Sequence, residues 1–106
     1  MTDHFDVRYT DAARDDLLRL LDFLLDRAQT PEDFDAAQDT VDAIRTAVEI
    51  HLARTPFIFR KAGTSPFLRE LVIPLRRTGY VAMYEIEAGN TVTIMAIRHQ
   101  REDDYH

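Results

Sequence analysis

Near the end of the chain, Arg98, His99, Arg101, Glu102 and Tyr105 fall within the nine residues RHQREDDYH. Guanidinium groups hold phosphate or carboxylate, an imidazole exchanges a proton near neutral pH, and a phenol donates one. A second set of bases lies upstream, where Arg60, Lys61, Arg69, Arg76 and Arg77 share a stretch with the single acid Glu70. Together with Arg98 they form a candidate contact surface for an acidic partner. His99, Glu102, Asp103, Asp104 and His106 are close in sequence, but no helical pair or second cluster fixes their geometry, so no metal site and no cofactor is expected.

Each of these residues also has a structural reading. An exposed arginine beside a turn is ordinary, and Arg76 and Arg77 flank one. Arg69 alternates onto the face of Leu71 and is expected to hold the sheet together through an acid of the helices or a neighbour of Glu70. Arg98 and His99 follow the last strand on opposite faces, one toward the helices and one outward. A strand-end histidine more often caps with a hydrogen bond than catalyses. Tyr80 and Tyr84, on one face with Ala82 and Ile86, read as packing residues rather than a base-stacking platform. Glu102, Asp103 and Asp104 would repel a nucleic-acid backbone.

These residues must be placed by a small fold. The chain has 106 residues, 45% hydrophobic and 30% charged, a composition that suits one soluble globular domain with a single core. It has no cysteine, so neither a disulfide nor a thiolate nucleophile is available. No apolar run approaches the roughly 20 residues of a membrane span, and the first residues do not resemble a signal peptide, so the expected location is the cytoplasm. The net charge is −6 and unevenly spread: residues 1–56 carry 13 acids against 6 bases, whereas residues 57–106 carry 6 acids against 7 bases. The acids of the first half are expected to coat the exposed faces of helices.

Phe5, Val7 and Tyr9 alternate with polar residues, which predicts a short half-buried strand. Ala13, Leu17, Leu20, Leu21, Leu24 and Ala28 then recur at helical spacing, with Thr10 or Asp11 available as N-cap. Thr30, Pro31, Glu32 and Asp33 announce a second helix through a capping hydroxyl, a proline at the first helical position and acids in the first turn. Its stripe is predicted to be Phe34, Ala37, Val41, Ile44, Val48 and Leu52, ending at Pro56. The helices make an antiparallel hairpin. Strand patterns follow from Leu68 to Pro74, from Val81 to Glu87 and from Thr91 to Ile97, with Arg76–Gly79 and Ala88–Asn90 as connections. The order β-α-α-β-β-β predicts an α+β domain, residues 1–106, with the helical hairpin packed on a small antiparallel sheet.

The phrase RELVIPLRRTGYVAMYEI (69–86), with arginine just before Gly79 and Tyr80, and the closing TIMAIRHQREDDY (93–105), with His99, Arg101, Glu102 and Tyr105, sit in this order of elements. The chain resembles the RelE/ParE toxins of bacterial type II toxin–antitoxin systems over nearly its whole length, and lies nearer to ParE. The resemblance implies a small cytoplasmic toxin held inactive in a hetero-oligomer with a cognate antitoxin. It also implies one of two activities: inhibition of DNA gyrase, as in ParE, or ribosome-dependent cleavage of messenger RNA, as in RelE.

The nuclease reading needs a group to take the 2′-hydroxyl proton, cations for the phosphorane and a donor for the leaving oxygen. The resemblance assigns Arg76, Arg101 and Tyr105 to it, with His99 in place of a missing base. The chain has one lysine, Lys61, where RelE-like members carry several. A lysine-poor acidic chain is ill suited to a dense phosphate surface, so gyrase inhibition stands first, RNA cleavage second, and a non-toxic antitoxin-binding module third. Arg60, Lys61, Arg69, Arg76, Arg77 and Arg98 are the expected partner contacts, and the groove between hairpin and sheet the expected seat of the antitoxin.

Overall fold

Thr10 and Thr30 start the two helices by the same device, each side-chain oxygen accepting a backbone N–H three residues on, from Ala13 and Asp33. Asp33 completes a capping box by accepting from the N–H of Thr30 at 3.2 Å. These hydrogen bonds hold its carboxyl below the usual carboxylate range, that from Gln29 contributing most. The helices are α1 (Asp11–Asp26) and α2 (Pro31–Leu52), and the strands are β1 (Asp6–Tyr9), β2 (Arg60–Lys61), β3 (Leu68–Leu75), β4 (Thr78–Glu87) and β5 (Thr91–His99). The computed structural model describes residues 4–75 and 78–100.

The strands form one sheet in the order β1-β5-β4-β3-β2. The three long strands are the expected antiparallel meander, with Gly89 and Asn90 at positive φ in the β4–β5 turn. Two features go beyond the sequence reading. β1 joins the edge of β5 in parallel, Asp6 opposite Thr91 through Tyr9 opposite Ile94, so the sheet is mixed. The two-residue β2 adds a fifth strand on the far edge of β3; it is too short to show a period.

The helices pack on one face of the sheet, where Ala13, Leu17, Val41, Ile44, Val48 and Leu52 meet Leu71, Ile73, Tyr80, Ala82, Tyr84, Val92, Ile94 and Ile97. Phe34, predicted for the α2 stripe, is instead 50% exposed, one turn too near the helix start to reach the sheet. No described helix is long and apolar enough to cross a membrane.

β5 does not alternate evenly. Tyr84 faces Ile94 and Met83 faces Ala96, so Met95 is an extra residue, a bulge. Val92 and Ile94 point inward before it; Ile97 and His99 do so after it, and Ala96 and Arg98 turn outward. Side chains from the start of α1 clamp the irregularity. The Thr10 hydroxyl donates to the Ile94 carbonyl at 3.0 Å, and the Ile97 N–H donates to Asp16 at 2.9 Å. The Ile94 carbonyl also accepts the Thr10 backbone N–H just past the end of β1, and Asp16 serves the Ile97 N–H beyond the reach of that strand.

Candidate functional site

The end of β5 meets the start of β4 across the ladder, Tyr80 opposite His99 and Val81 opposite Arg98. The bulge at Met95 decides which side each residue takes. His99 stands on the helix side, its ring edge-on to Tyr80 at 5.2 Å between centroids, and its Nε2 is hydrogen-bonded to the Thr78 hydroxyl. The histidine is thus engaged as a cap, as strand-end histidines usually are. Beside it, the Gln100 amide lies over Gly79, where any Cβ would collide with it. A side chain at position 79 would have to displace only this flexible amide, since the nearest backbone atom, the Ile73 carbonyl oxygen, lies at an ordinary 3.6 Å.

The hydrogen bond of Thr78 with His99 fastens the start of β4 to the end of β5. Arg77 precedes Thr78 in the chain and Arg101 follows Gln100. Arg76, Arg77, Arg101, Glu102 and Tyr105 lie outside the described residues, so of the proposed catalytic set only His99 is placed.

On the opposite face, which neither α1 nor α2 covers, Glu70 takes two of the expected partner-binding arginines. Arg60 Nε donates to its Oε1 at 2.9 Å and Arg98 Nη2 to its Oε2 at 3.1 Å. The triad reaches from the edge strand β2 to β5. Beneath it Val81 is 1% exposed although it stands outside the helix-side core.

Arg69 behaves differently from the sequence expectation. Its Nη1 donates to the carbonyls of Phe57 and Phe59 at 3.0 and 2.8 Å, and its Nε to that of Pro66 at 2.8 Å. Among the described residues it pairs with no acid; it closes the loops on either side of β2. Alternation located Arg69 on its strand, but the carbonyls come from irregular backbone that has no sequence signature. Lys61 remains exposed on the edge strand.

The groove expected between hairpin and sheet is present. A cavity of about 350 Å³ opens there, lined by Leu24, Asp39, Thr40, Ala43, Leu75, Thr78 and Tyr80. Its sheet wall is the start of β4, next to His99. Tyr80 and Tyr84 are buried packing residues, and the Tyr84 hydroxyl donates to the Pro56 carbonyl at 2.6 Å. Burial pushes the Tyr84 phenol up to about 12, with nearby Arg69 pulling the other way. Among the described residues no three acidic or histidine side chains gather to hold a metal ion.

A hairpin of helices on one face of a small mixed sheet defines a compact α+β domain. Residues 7–104 match the family described as ParE toxin of type II toxin-antitoxin system, parDE. The chain belongs to that family. Its fold is similar to a solved structure titled "Chromosomal ParDE TA system from P. aeruginosa", with a TM-score of 0.70 and 19% identity, covering 92% of this chain and 98% of that one. A comparison with curated proteins found no match.

Proposed function

We propose that this ParE-family toxin acts by protein–protein contact on DNA gyrase and is neutralised by a cognate antitoxin. The observation that carries this reading is the state of the basic surface. Arg60 and Arg98 share Glu70, and Arg69 is bound by three backbone carbonyls. Three of the expected cations are thus tied to the chain's own groups rather than presented to a phosphate backbone, which a nuclease working on the ribosome would need. His99 is likewise occupied with Thr78. A surface of internally paired charges over apolar strand residues suits recognition of another protein.

The antitoxin's seat, on this reading, is the groove lined by Leu24, Ala43, Leu75 and Tyr80, with Arg76, Arg77 and Lys61 as contacts for acidic residues of the antitoxin. One observation favours the second reading, RNA cleavage: the Thr78–His99 contact brings together the strand ends that lead to Arg77 and to Arg101.

Expression without antitoxin separates the two. Early arrest of DNA synthesis, with loss of supercoiling by purified gyrase when the toxin is added, is the expected outcome. Ribosome-dependent cleavage of messenger RNA, abolished by Arg101→Ala, would overturn it in favour of the nuclease. No growth defect would leave the antitoxin-binding module.

A further inference from the structure

The segment that leads from the end of α2 into β3 differs in character from the rest of the chain. Residues 50–69 hold none of the 19 acids, the longest run without one, and carry the bases Arg54, Arg60, Lys61 and Arg69. Among the described residues, seven large apolar side chains stand about half or more exposed, and four of them fall in this run: Ile50, Phe57, Ile58 and Phe67. Ile58 is 71% exposed. Apolar side chains exposed singly are ordinary, whereas several gathered beside a polar rim mark an interaction surface.

Phe57 stands at the centre of the patch. Its ring meets Phe67 edge-on at 6.4 Å between centroids and Phe5 at 6.3 Å, and the Arg69 guanidinium lies 5.9 Å from its centroid. The backbone beneath these rings is fixed. Arg69 holds the carbonyls of Phe57, Phe59 and Pro66, Tyr84 holds that of Pro56, and the Phe67 carbonyl accepts the Ile86 N–H at 2.8 Å. Half-exposed aromatic rings on pinned loops have little left to order when a partner arrives, so their burial goes into affinity.

Charge decides the kind of partner. Lys61 stands opposite Arg69 and shares its side of the sheet, whereas Glu70, the next residue along β3, points to the other. Lys61 and Arg54 are exposed, and among the described residues neither has an acid within ion-pair distance. A second copy docking through the same patch would set these bases against each other, and a chain of net charge −6 is not drawn to an anionic bilayer. The groove assigned above to the antitoxin opens at Leu75 and Thr78, the far end of the β3–β4 ladder, roughly 20–25 Å along the strand from Leu68. We infer that the patch is the toxin's contact with its target, an acidic protein surface that takes Phe57, Ile58 and Phe67 into an apolar recess and faces Arg54 and Lys61 with carboxylates. The inference rests on the reading that this target is DNA gyrase. Lys61 then serves both partners, which makes antitoxin and target mutually exclusive.

The test measures binding of the purified full-length toxin to gyrase and inhibition of supercoiling, with affinity for the cognate antitoxin in parallel. Ile58→Asp and Phe67→Ser alter exposed side chains, so each should keep the wild-type melting temperature while weakening gyrase binding and inhibition about tenfold, the effect of losing an interface anchor. Antitoxin affinity of both should stay within about twofold of wild type. Leu18→Asp, the same kind of change on the exposed side of α1, should alter neither partner. Lys61→Glu should weaken both, more at low salt than at high. Unchanged inhibition by Ile58→Asp and Phe67→Ser would overturn the assignment, as would a loss confined to the antitoxin or an equal loss in Leu18→Asp. A wild-type toxin that leaves gyrase untouched would overturn the gyrase reading and this inference with it, a result visible before any variant is compared.

Discussion

Tyr84 and Arg69 show how much of this molecule depends on single side chains serving irregular backbone. The phenol of Tyr84 is fully buried and holds the Pro56 carbonyl, where the chain leaves α2. Tyr84→Phe should cost about 1–3 kcal/mol, because the carbonyl stays buried without its donor; chemical denaturation measures this. The same residue sets a response to alkali. The Tyr84 and Tyr9 phenols are both raised from 10.0 to about 12, mainly by burial. Their contribution is whole below about pH 10, where the phenols are neutral in folded and unfolded chains alike. It is lost as pH climbs through about 12, because the unfolded chain ionises first. Stability should fall over that window, and less steeply in Tyr84→Phe. Arg69 makes a parallel point about chemistry: five donors in a fixed fork satisfy three carbonyls at once, which a lysine with its single nitrogen does not reproduce. Its strand and face could be read from the sequence, but its partners could not. They are carbonyls, and every residue has one.

Among the elements, those with strong local codes were legible. α2 begins at Thr30 because Thr30, Pro31 and Asp33 together leave few other conformations, and Thr30→Ala should destabilise the protein by about 1 kcal/mol, read as a shift in the denaturation midpoint. β1, the meander and the β4–β5 turn followed from alternation and from Gly89 and Asn90. β2 and the parallel docking of β1 did not, since pairing partners distant in sequence leave no local mark. The bulge at Met95 is the most consequential omission. Strict alternation from Val92 and Ile94 would send Arg98 inward and His99 outward; the extra residue reverses both. Asp16 supports the phase that follows it by accepting the Ile97 N–H, and Arg19 pairs with the same carboxylate. Asp16→Ala should cost about 1.5–3 kcal/mol, the range of hydrogen bonds to charged groups. It should also speed hydrogen exchange at Ile97 more than at Val92.

At the scale of the whole molecule, the charge division seen in the sequence survives folding but changes meaning. The acids of the first half cover the helical hairpin, while the basic half is partly neutralised from within by Glu70. Composition revealed the surplus of bases; only the folded chain shows that one acid stands between two of them. Glu70→Gln keeps the shape and frees a unit of positive charge on the sheet face away from the helices. Affinity for an acidic antitoxin should rise severalfold at low ionic strength, and the gain should fade as salt screens it. An unchanged affinity at low salt would remove this face from the interface. The parallel docking of β1 against β5 bears on the making of the protein as well. The first strand has no edge to join until Thr91–Ile94 have been synthesised, so its side of the sheet closes only after the whole meander exists. Until then the Thr78–His99 fastening does not exist, and an interrupted nascent chain has neither the completed sheet nor the assembled strand end.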